Sequence, residues 1–325
     1  MKEKLAGIVF ILIVLSSCVN EAEFKGKYTD PLLVVNAIAE VGEPLSVEVT
    51  ESRFFLGSAY DTFPKIKDAI VSLNINGESQ ILQYDGVSNR YVSDGVINFN
   101  DSLDLEVEAR GKKAKASIRV ISAVVSLADV ELTTGESHFD YYIADNDTLE
   151  WAWYVGTDAT LTFADPAQEH NYYMLKYRGI YYYDNQTFYA DTYSYILWNF
   201  QDMYKNVGDI SDLLDNLLGT ADPRILDDAV NNGTSIEASV NTYFETDSQL
   251  PAVGLDSVVA EYRLCSIDRH LYLYSQTAYQ FRTSDGLELF VEPTQIYNNI
   301  SGGVGIFASQ GANVRRVKIW EKTNQ

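Results

Sequence analysis

The sequence predicts a mainly β protein in two unequal parts: a small β-sandwich, then a larger antiparallel β-barrel or sandwich with one or two packed helices. Three observations carry this. Short apolar–polar alternations recur along the chain, separated in its first third by Asn-Gly and Asp-Gly pairs. Only two segments show helical periodicity. Composition also shifts near Ser122: residues 31–122 carry a net charge of −4 and residues 123–325 one of −18, and 19 of the 23 Tyr and all four Trp lie in the second stretch. The expected parts are therefore a leader over 1–17, a tether over 18–30, a first β module over 31–122 and a Tyr-rich antiparallel β domain over 123–325.

The leader reads as a targeting segment. Lys2 and Lys4 precede an apolar run, Leu5 to Leu15, of eleven residues. A bilayer-spanning helix needs about twenty. The run ends in Leu15-Ser16-Ser17-Cys18, an apolar residue, two small residues and a cysteine, which resembles a lipobox. The expected mature chain begins at Cys18 and is lipidated there. Each buried CH2 contributes roughly 0.8 kcal/mol, so one acyl chain holds marginally and two or more hold stably. Glu21 and Glu23 just behind the cysteine resemble the surface-export signal of Bacteroidota lipoproteins. Phe24 to Asp30 has no periodicity and reads as the rest of the tether.

In the first module Leu32–Ile38 is one strand, and Leu45, Val47 and Val49 mark a second. Ala69–Ile75 passes through Asn76-Gly77 into Gln80–Tyr84, a strong hairpin signal. Asp85-Gly86, Asp94-Gly95 and Gly111-Lys112 supply further turns. Leu103, Leu105, Val107 and Ala109 alternate, as do Ala116, Ile118 and Val120. Six or seven strands in about ninety residues with no helix fit an immunoglobulin-like sandwich.

In the second part the expected strands are Val124–Leu132, Phe139–Ile143, Thr148–Tyr154, Ala159–Phe163, Tyr172–Tyr177, Ile236–Tyr243 and Ser257–Cys265. Helices are expected over Val207–Leu218, ending at Gly219, and from Asp268 to Thr283. Gly303–Ser309 and Val314–Ile319 read as a closing hairpin.

Several segments together resemble a family of Bacteroidota lipoproteins classed as domain of unknown function 4249. They are the lipobox, Leu33-Val34-Val35-Asn36, Ala69-Ile70-Val71-Ser72-Leu73, Leu161-Thr162-Phe163-Ala164-Asp165-Pro166 with Asn171-Tyr172-Tyr173, Tyr272-Leu273-Tyr274, and Asn298-Asn299-Ile300-Ser301-Gly302-Gly303-Val304-Gly305-Ile306-Phe307. The last is the most specific. The resemblance covers nearly the whole mature chain and implies no catalytic set. Similar proteins are often encoded beside TonB-dependent outer-membrane receptors, which implies an accessory to nutrient uptake at the cell surface.

The residues exclude much chemistry. Removing residues 1–17 leaves a net charge of −23, which argues against nucleic-acid binding, since phosphates are held by Lys and Arg. His138, His170 and His270 show no metal-ligand spacing, so no metal and no cofactor is assigned. Cys265 alternates within a strand and reads as a small buried hydrophobe. Asp145-Asn146-Asp147 and Asp184-Asn185 read as turns rather than Ca2+ loops. Gly302-Gly303 and Gly305 read as a bulge or tight turn, since the lysine of a phosphate loop is missing. Asp101-Ser102-Leu103, Asp147-Thr148-Leu149 and Asp256-Ser257-Val258 resemble the O-glycosylation pattern of exported Bacteroidota proteins.

What remains is aromatic. Trp151 and Trp153 share one face of a strand, and Tyr181-Tyr182-Tyr183 follows Gly179 in an expected turn. These five residues are the candidate ligand-binding set, and no catalytic residues are assigned. The leading expectation is an outer-membrane, surface-exposed lipoprotein that binds a ligand or partner as accessory to a TonB-dependent receptor, its membrane contact made through lipid. The alternatives are a glycoside hydrolase using two carboxylates among Glu150, Glu245 and Glu261, and a surface adhesin or structural lipoprotein.

The anchor is directly testable. Cys18→Ala moves the protein out of the membrane fraction of its host, and mass spectrometry of the wild-type N-terminal peptide finds a diacylglyceryl group on Cys18. A wild-type N-terminus without lipid contradicts the assignment.

Overall fold

The structure is a computed structural model that describes residues 30–53, 63–123, 129–134, 138–143, 149–167, 169–183, 186–191, 193–199, 222, 224–230, 232–246, 255–283 and 295–322. The lipobox expected around Cys18, the helix expected over Val207–Leu218, and the turns expected at Asp145-Asn146-Asp147 and Asp184-Asn185 lie outside the described residues.

The first module contains β1 (Leu33–Glu40), β2 (Ser46–Glu51), β3 (Ile70–Ile75), β4 (Glu78–Ile81), β5 (Gln83–Asp85), β6 (Arg90–Val92), β7 (Ser102–Ala109) and β8 (Lys112–Arg119). One sheet runs β1-β2-β6-β5 and the other β4-β3-β7-β8. This is the strand order of an immunoglobulin-like sandwich, as expected. Period-2 alternation buries Leu33, Val35, Ala37 and Ala39 of β1 against Leu73, Leu105 and Ile118 of the facing sheet. Asn76-Gly77 turns β3 into β4 with φ of 53° and 98°, the left-handed pair a two-residue hairpin requires. The β7–β8 hairpin turns at Arg110-Gly111, with Ala109 paired to Lys112, one residue earlier than its sequence signal.

The second part contains β9 (Asp129–Thr134), β10 (His138–Ile143), β11 (Leu149–Ala164), β12 (Tyr172–Tyr183), β13 (Gln186–Asp191), β14 (Tyr193–Asn199), β15 (Ile225–Asp227), β16 (Ser235–Thr246), β17 (Leu255–Ile267), helix α1 (Arg269–Thr283) and β18 (Val304–Glu321). The sheet β10-β11-β16-β14, with β9 beside β11, faces β12, β17 and β18. Val155, Ala159, Leu161, Ala238 and Val240 meet Leu175, Tyr181, Val258, Tyr262 and Ile319 between them. It is a sandwich, not a closed barrel.

On the other face of β12 and β17, α1 covers Met174, Cys265 and Ile267 through Leu271. Cys265 is fully buried, and burial raises its thiol pKa, which fits a packing residue. Asp268 starts the helix as expected. Its Oδ1 accepts the Leu271 N–H at 2.8 Å, an N-cap contact, and its Oδ2 accepts the Ser309 N–H at 2.7 Å.

Two expectations change. The strands expected over Thr148–Tyr154 and Ala159–Phe163 are one strand, β11, because β16 pairs with it without interruption from Trp153 to Ala164. The closing hairpin is also one strand, β18. Residues 304–310 of β18 pair in parallel with β1, and residues 310–321 pair antiparallel with β17. The apparent break between Ser309 and Val314 is a change of partner, not a turn. A single sheet, β13-β12-β17-β18-β1-β2-β6-β5, therefore runs through both halves.

The glycines of the most specific segment make this possible. The backbone of Ser301 exchanges hydrogen bonds of 2.8 and 2.9 Å with Lys115 of β8, and the chain then joins β1 of the opposite sheet. A Cβ on Gly302 would lie 2.3 Å from the Lys113 carbonyl oxygen, one on Gly303 2.7 Å from that of Leu33, and one on Gly305 2.1 Å from that of Val35. Gly305 also has φ of +124°, a conformation open only to glycine. Gly305→Ala is expected to lower unfolding free energy by roughly 2–4 kcal/mol, measured by urea denaturation. A change below about 0.5 kcal/mol would contradict the close approach.

Candidate functional site

The motif Phe163-Ala164-Asp165-Pro166, followed by Asn171-Tyr172-Tyr173, lies where β11 gives way to β12. Phe163 and Tyr173 pack edge to face in the core, with ring centroids 5.1 Å apart. Asp165 is buried and serves as a local hub. Its Oδ1 accepts from the Tyr173 hydroxyl and its Oδ2 accepts the Gly233 N–H at 2.7 Å. Burial first, then the bond to Asp165, raises the Tyr173 pKa, so this phenol stays protonated and donating.

Next to the hub is a cluster of ionisable groups. β15 pairs with the start of β12, Tyr172 opposite Asp227, and the Asp228 N–H bonds the Asn171 carbonyl at 3.2 Å. These backbone contacts hold His170 against Asp227 and Asp228. His170 Nε2 lies 2.5 Å from Asp227 Oδ1 and 3.7 Å from Asp228 Oδ1. The three candidate ligand atoms lie within 4.8 Å of one another. The imidazole leans on the Tyr172 ring at 4.8 Å, and Tyr172 stacks on Tyr272 of α1 at 4.2 Å.

Asp228 is the unusual member. Its side chain is fully buried. Oδ2 accepts the Asn171 N–H at 2.9 Å, but Oδ1 has no hydrogen-bond partner among the described residues. A buried acceptor left in this state costs about 1–3 kcal/mol, more when charged. Burial, and then the charge of Asp165, push the Asp228 carboxyl up to about 6, opposed by the Asn171 N–H.

The expected ligand-binding residues are distributed differently. Tyr181, Tyr182 and Tyr183 end strand β12 instead of forming a turn, because Gly179 sits in the ladder opposite Ala260 and Ala190. Tyr181 therefore points into the core at 3% exposure, while Tyr182 faces outward at 37%. Tyr183 is half-buried against the same core. Trp151 and Trp153 fall on β11 opposite Tyr141 and Phe139, and their side chains are outside the described residues. So are the side chains of Glu150, Glu245 and His138. His270 Nδ1 meets the Tyr297 hydroxyl at 2.8 Å.

Glu261 is fully buried between Arg178 and Arg316, each 2.7 Å away. Burial alone would raise its carboxyl, but the two guanidiniums outweigh it and hold it below the usual range. It is a structural anion, unsuited to donate a proton. Two features hide the cluster in the sequence. His170 lacks a second His or Cys at ligand spacing, and Asp227-Asp228 is more than fifty residues away. Only Asp165-Pro166 and Asn171-Tyr172-Tyr173 marked the neighbourhood.

The fold and cluster define a class: a mainly β protein of two sandwiches sharing one sheet, with an acidic histidine cluster at the start of β12. The chain belongs to the family described as Domain of unknown function (DUF4249), whose family model matches residues 19–316. The comparisons with curated proteins and with solved structures found no match.

A carboxyl raised to about 6 in the folded state, against about 3.9 in the unfolded chain, takes up a proton on folding between those values. Its contribution to stability is complete below about pH 4 and lost as pH rises through 6. Asp228→Asn, which keeps the Asn171 contact, should therefore stabilise the chelator-treated protein by about 1–3 kcal/mol at pH 7.5 and much less at pH 4. Urea unfolding at both pH values checks this, and an equal effect at the two would contradict it.

Proposed function

We propose that this protein is a lipid-anchored, surface-exposed outer-membrane lipoprotein that binds a ligand or partner as accessory to a TonB-dependent receptor. The observation that carries the reading is the junction at Cys18. The lipobox Leu15-Ser16-Ser17-Cys18 ends where the family match begins, at residue 19. The matched unit is thus the chain expected to remain after cleavage.

The fold supports a binding role in a second way. The tether leads into β1, and β1 is bonded along its length to β18. The first sandwich therefore acts as a stalk continuous with the second, not one hinged to it. The larger sandwich, with Tyr182 exposed on β12, is then the part presented to ligand or receptor. Of the carboxylates considered for glycoside hydrolysis, Glu261 is held by two arginines, which weakens the hydrolase alternative.

The test is crosslinking on intact cells of the native host, followed by purification of the tagged full-length lipoprotein from the outer membrane. A TonB-dependent receptor recovered in near-equal amount, and lipoprotein removed by protease added to intact cells, are the expected results. Recovery with no such receptor overturns the partnership. Protection from external protease overturns the surface placement.

A further inference from the structure

We propose that His170, Asp227 and Asp228 form a binding site for a divalent transition-metal ion, of which Zn2+ is the representative probe. The proposal is independent of the accessory role. It starts from a charge imbalance. Asp227 and Asp228 converge on one imidazole, with the Asp165 carboxylate close enough to act on Asp228 electrostatically. A buried anion needs a compensating positive charge, and the Asp228 oxygen without a hydrogen bond is the one nearest His170.

The geometry is that of a prepared ligand set. Ligand atoms about 2.0–2.1 Å from a tetrahedral Zn2+ stand about 3.3 Å apart. The two His170 separations, 2.5 and 3.7 Å, bracket that value, and all three ligand atoms lie within 4.8 Å of one another. Each ligand is already supported. The Asn171 N–H holds Asp228 Oδ2 and leaves Oδ1 available. The Ala229 N–H holds Asp227 Oδ1 at 2.9 Å. The tilted contact of His170 with Tyr172, which itself stacks on Tyr272, restrains the imidazole plane. Such outer contacts orient ligands and raise affinity.

The ligand types select the ion. Ca2+ takes six to eight oxygen ligands, and Mg2+ keeps most of its water. One imidazole nitrogen with two carboxylates suits Zn2+ and its first-row neighbours. His170 is half exposed, so three protein ligands leave a position open on the solvent side for water or for a donor atom of a bound molecule.

The experiment uses the full-length lipoprotein, extracted in detergent, stripped with chelator and titrated with ZnCl2 at pH 7.5 by calorimetry. The expected result is one Zn2+ per chain, retained in the presence of excess Ca2+ and Mg2+. His170→Ala and Asp228→Asn should each weaken binding at least about ten-fold, while His270→Ala leaves it unchanged. Because His170 is half exposed, its variant tests the site without disturbing the core, and the native circular-dichroism spectrum confirms its fold. No stoichiometric uptake by the wild type, uptake unaltered in both variants, or displacement of Zn2+ by Ca2+ would each overturn the proposal.

Discussion

The structure depends on one strand changing partners. β18 pairs with β1 up to Gln310 and with β17 from Gln310 onward, so the two sandwiches are halves of one hydrogen-bonded sheet. Polar side chains fasten the crossing point. Gln310 donates to Glu40 at 2.6 Å and accepts from Lys176 at 2.8 Å, and Arg263 pairs with Glu40. Ser309 is bonded to Asp268, the residue that caps α1. Strand ends from both halves and the helix start therefore meet within two residues of chain. Movement of one sandwich against the other would break backbone bonds, not just side-chain contacts.

The glycine-rich segment before β18 follows from that constraint. To leave β8 and join β1, the chain must pass against the carbonyls of Lys113, Leu33 and Val35, at separations that leave no room for a Cβ. Asn299 assists by mimicking a strand neighbour: its amide accepts the Phe307 N–H at 2.9 Å and donates to the Phe307 carbonyl at 2.6 Å. Phe307 then fills the core of the first sandwich from a position late in the chain. The most specific sequence signature in the molecule is thus a closure device and not a ligand loop.

The acidic histidine cluster lies at the same end of the sheet, where β12 begins: Tyr172 pairs with Ile267 of β17, and Ile267 with Gln310 of β18. It draws on the same architecture. β15 is short, and its place is set by β12, which β17 holds along its whole length. Rigid pairing is what can keep a buried, partly unsatisfied carboxylate such as Asp228 in place, since a looser segment would turn it out to water. Asp165 shows the contrasting solution: a buried carboxylate fully engaged by Tyr173 and Gly233.

Local signals were enough for the β class, the immunoglobulin-like module, the Asn76-Gly77 hairpin, the helix capped by Asp268 and the burial of Cys265. Each depends on period, turn chemistry or capping, which act over a few residues. The lipobox-like pattern Leu15-Ser16-Ser17-Cys18 is equally local, because it is read as sequence. Only the tertiary structure could decide that Val304–Glu321 is one strand, since its apparent break is a change of partner and its β1 partners lie 270 residues away. It likewise turned Tyr181–Tyr183 from a loop into a strand with one ring outward, because β13 and β17 pair on either side. It also assembled His170 with Asp227 and Asp228. Their spacing in sequence carries no trace of contact, because a site built across paired strands is defined by register, and register is set by partners far away in the chain.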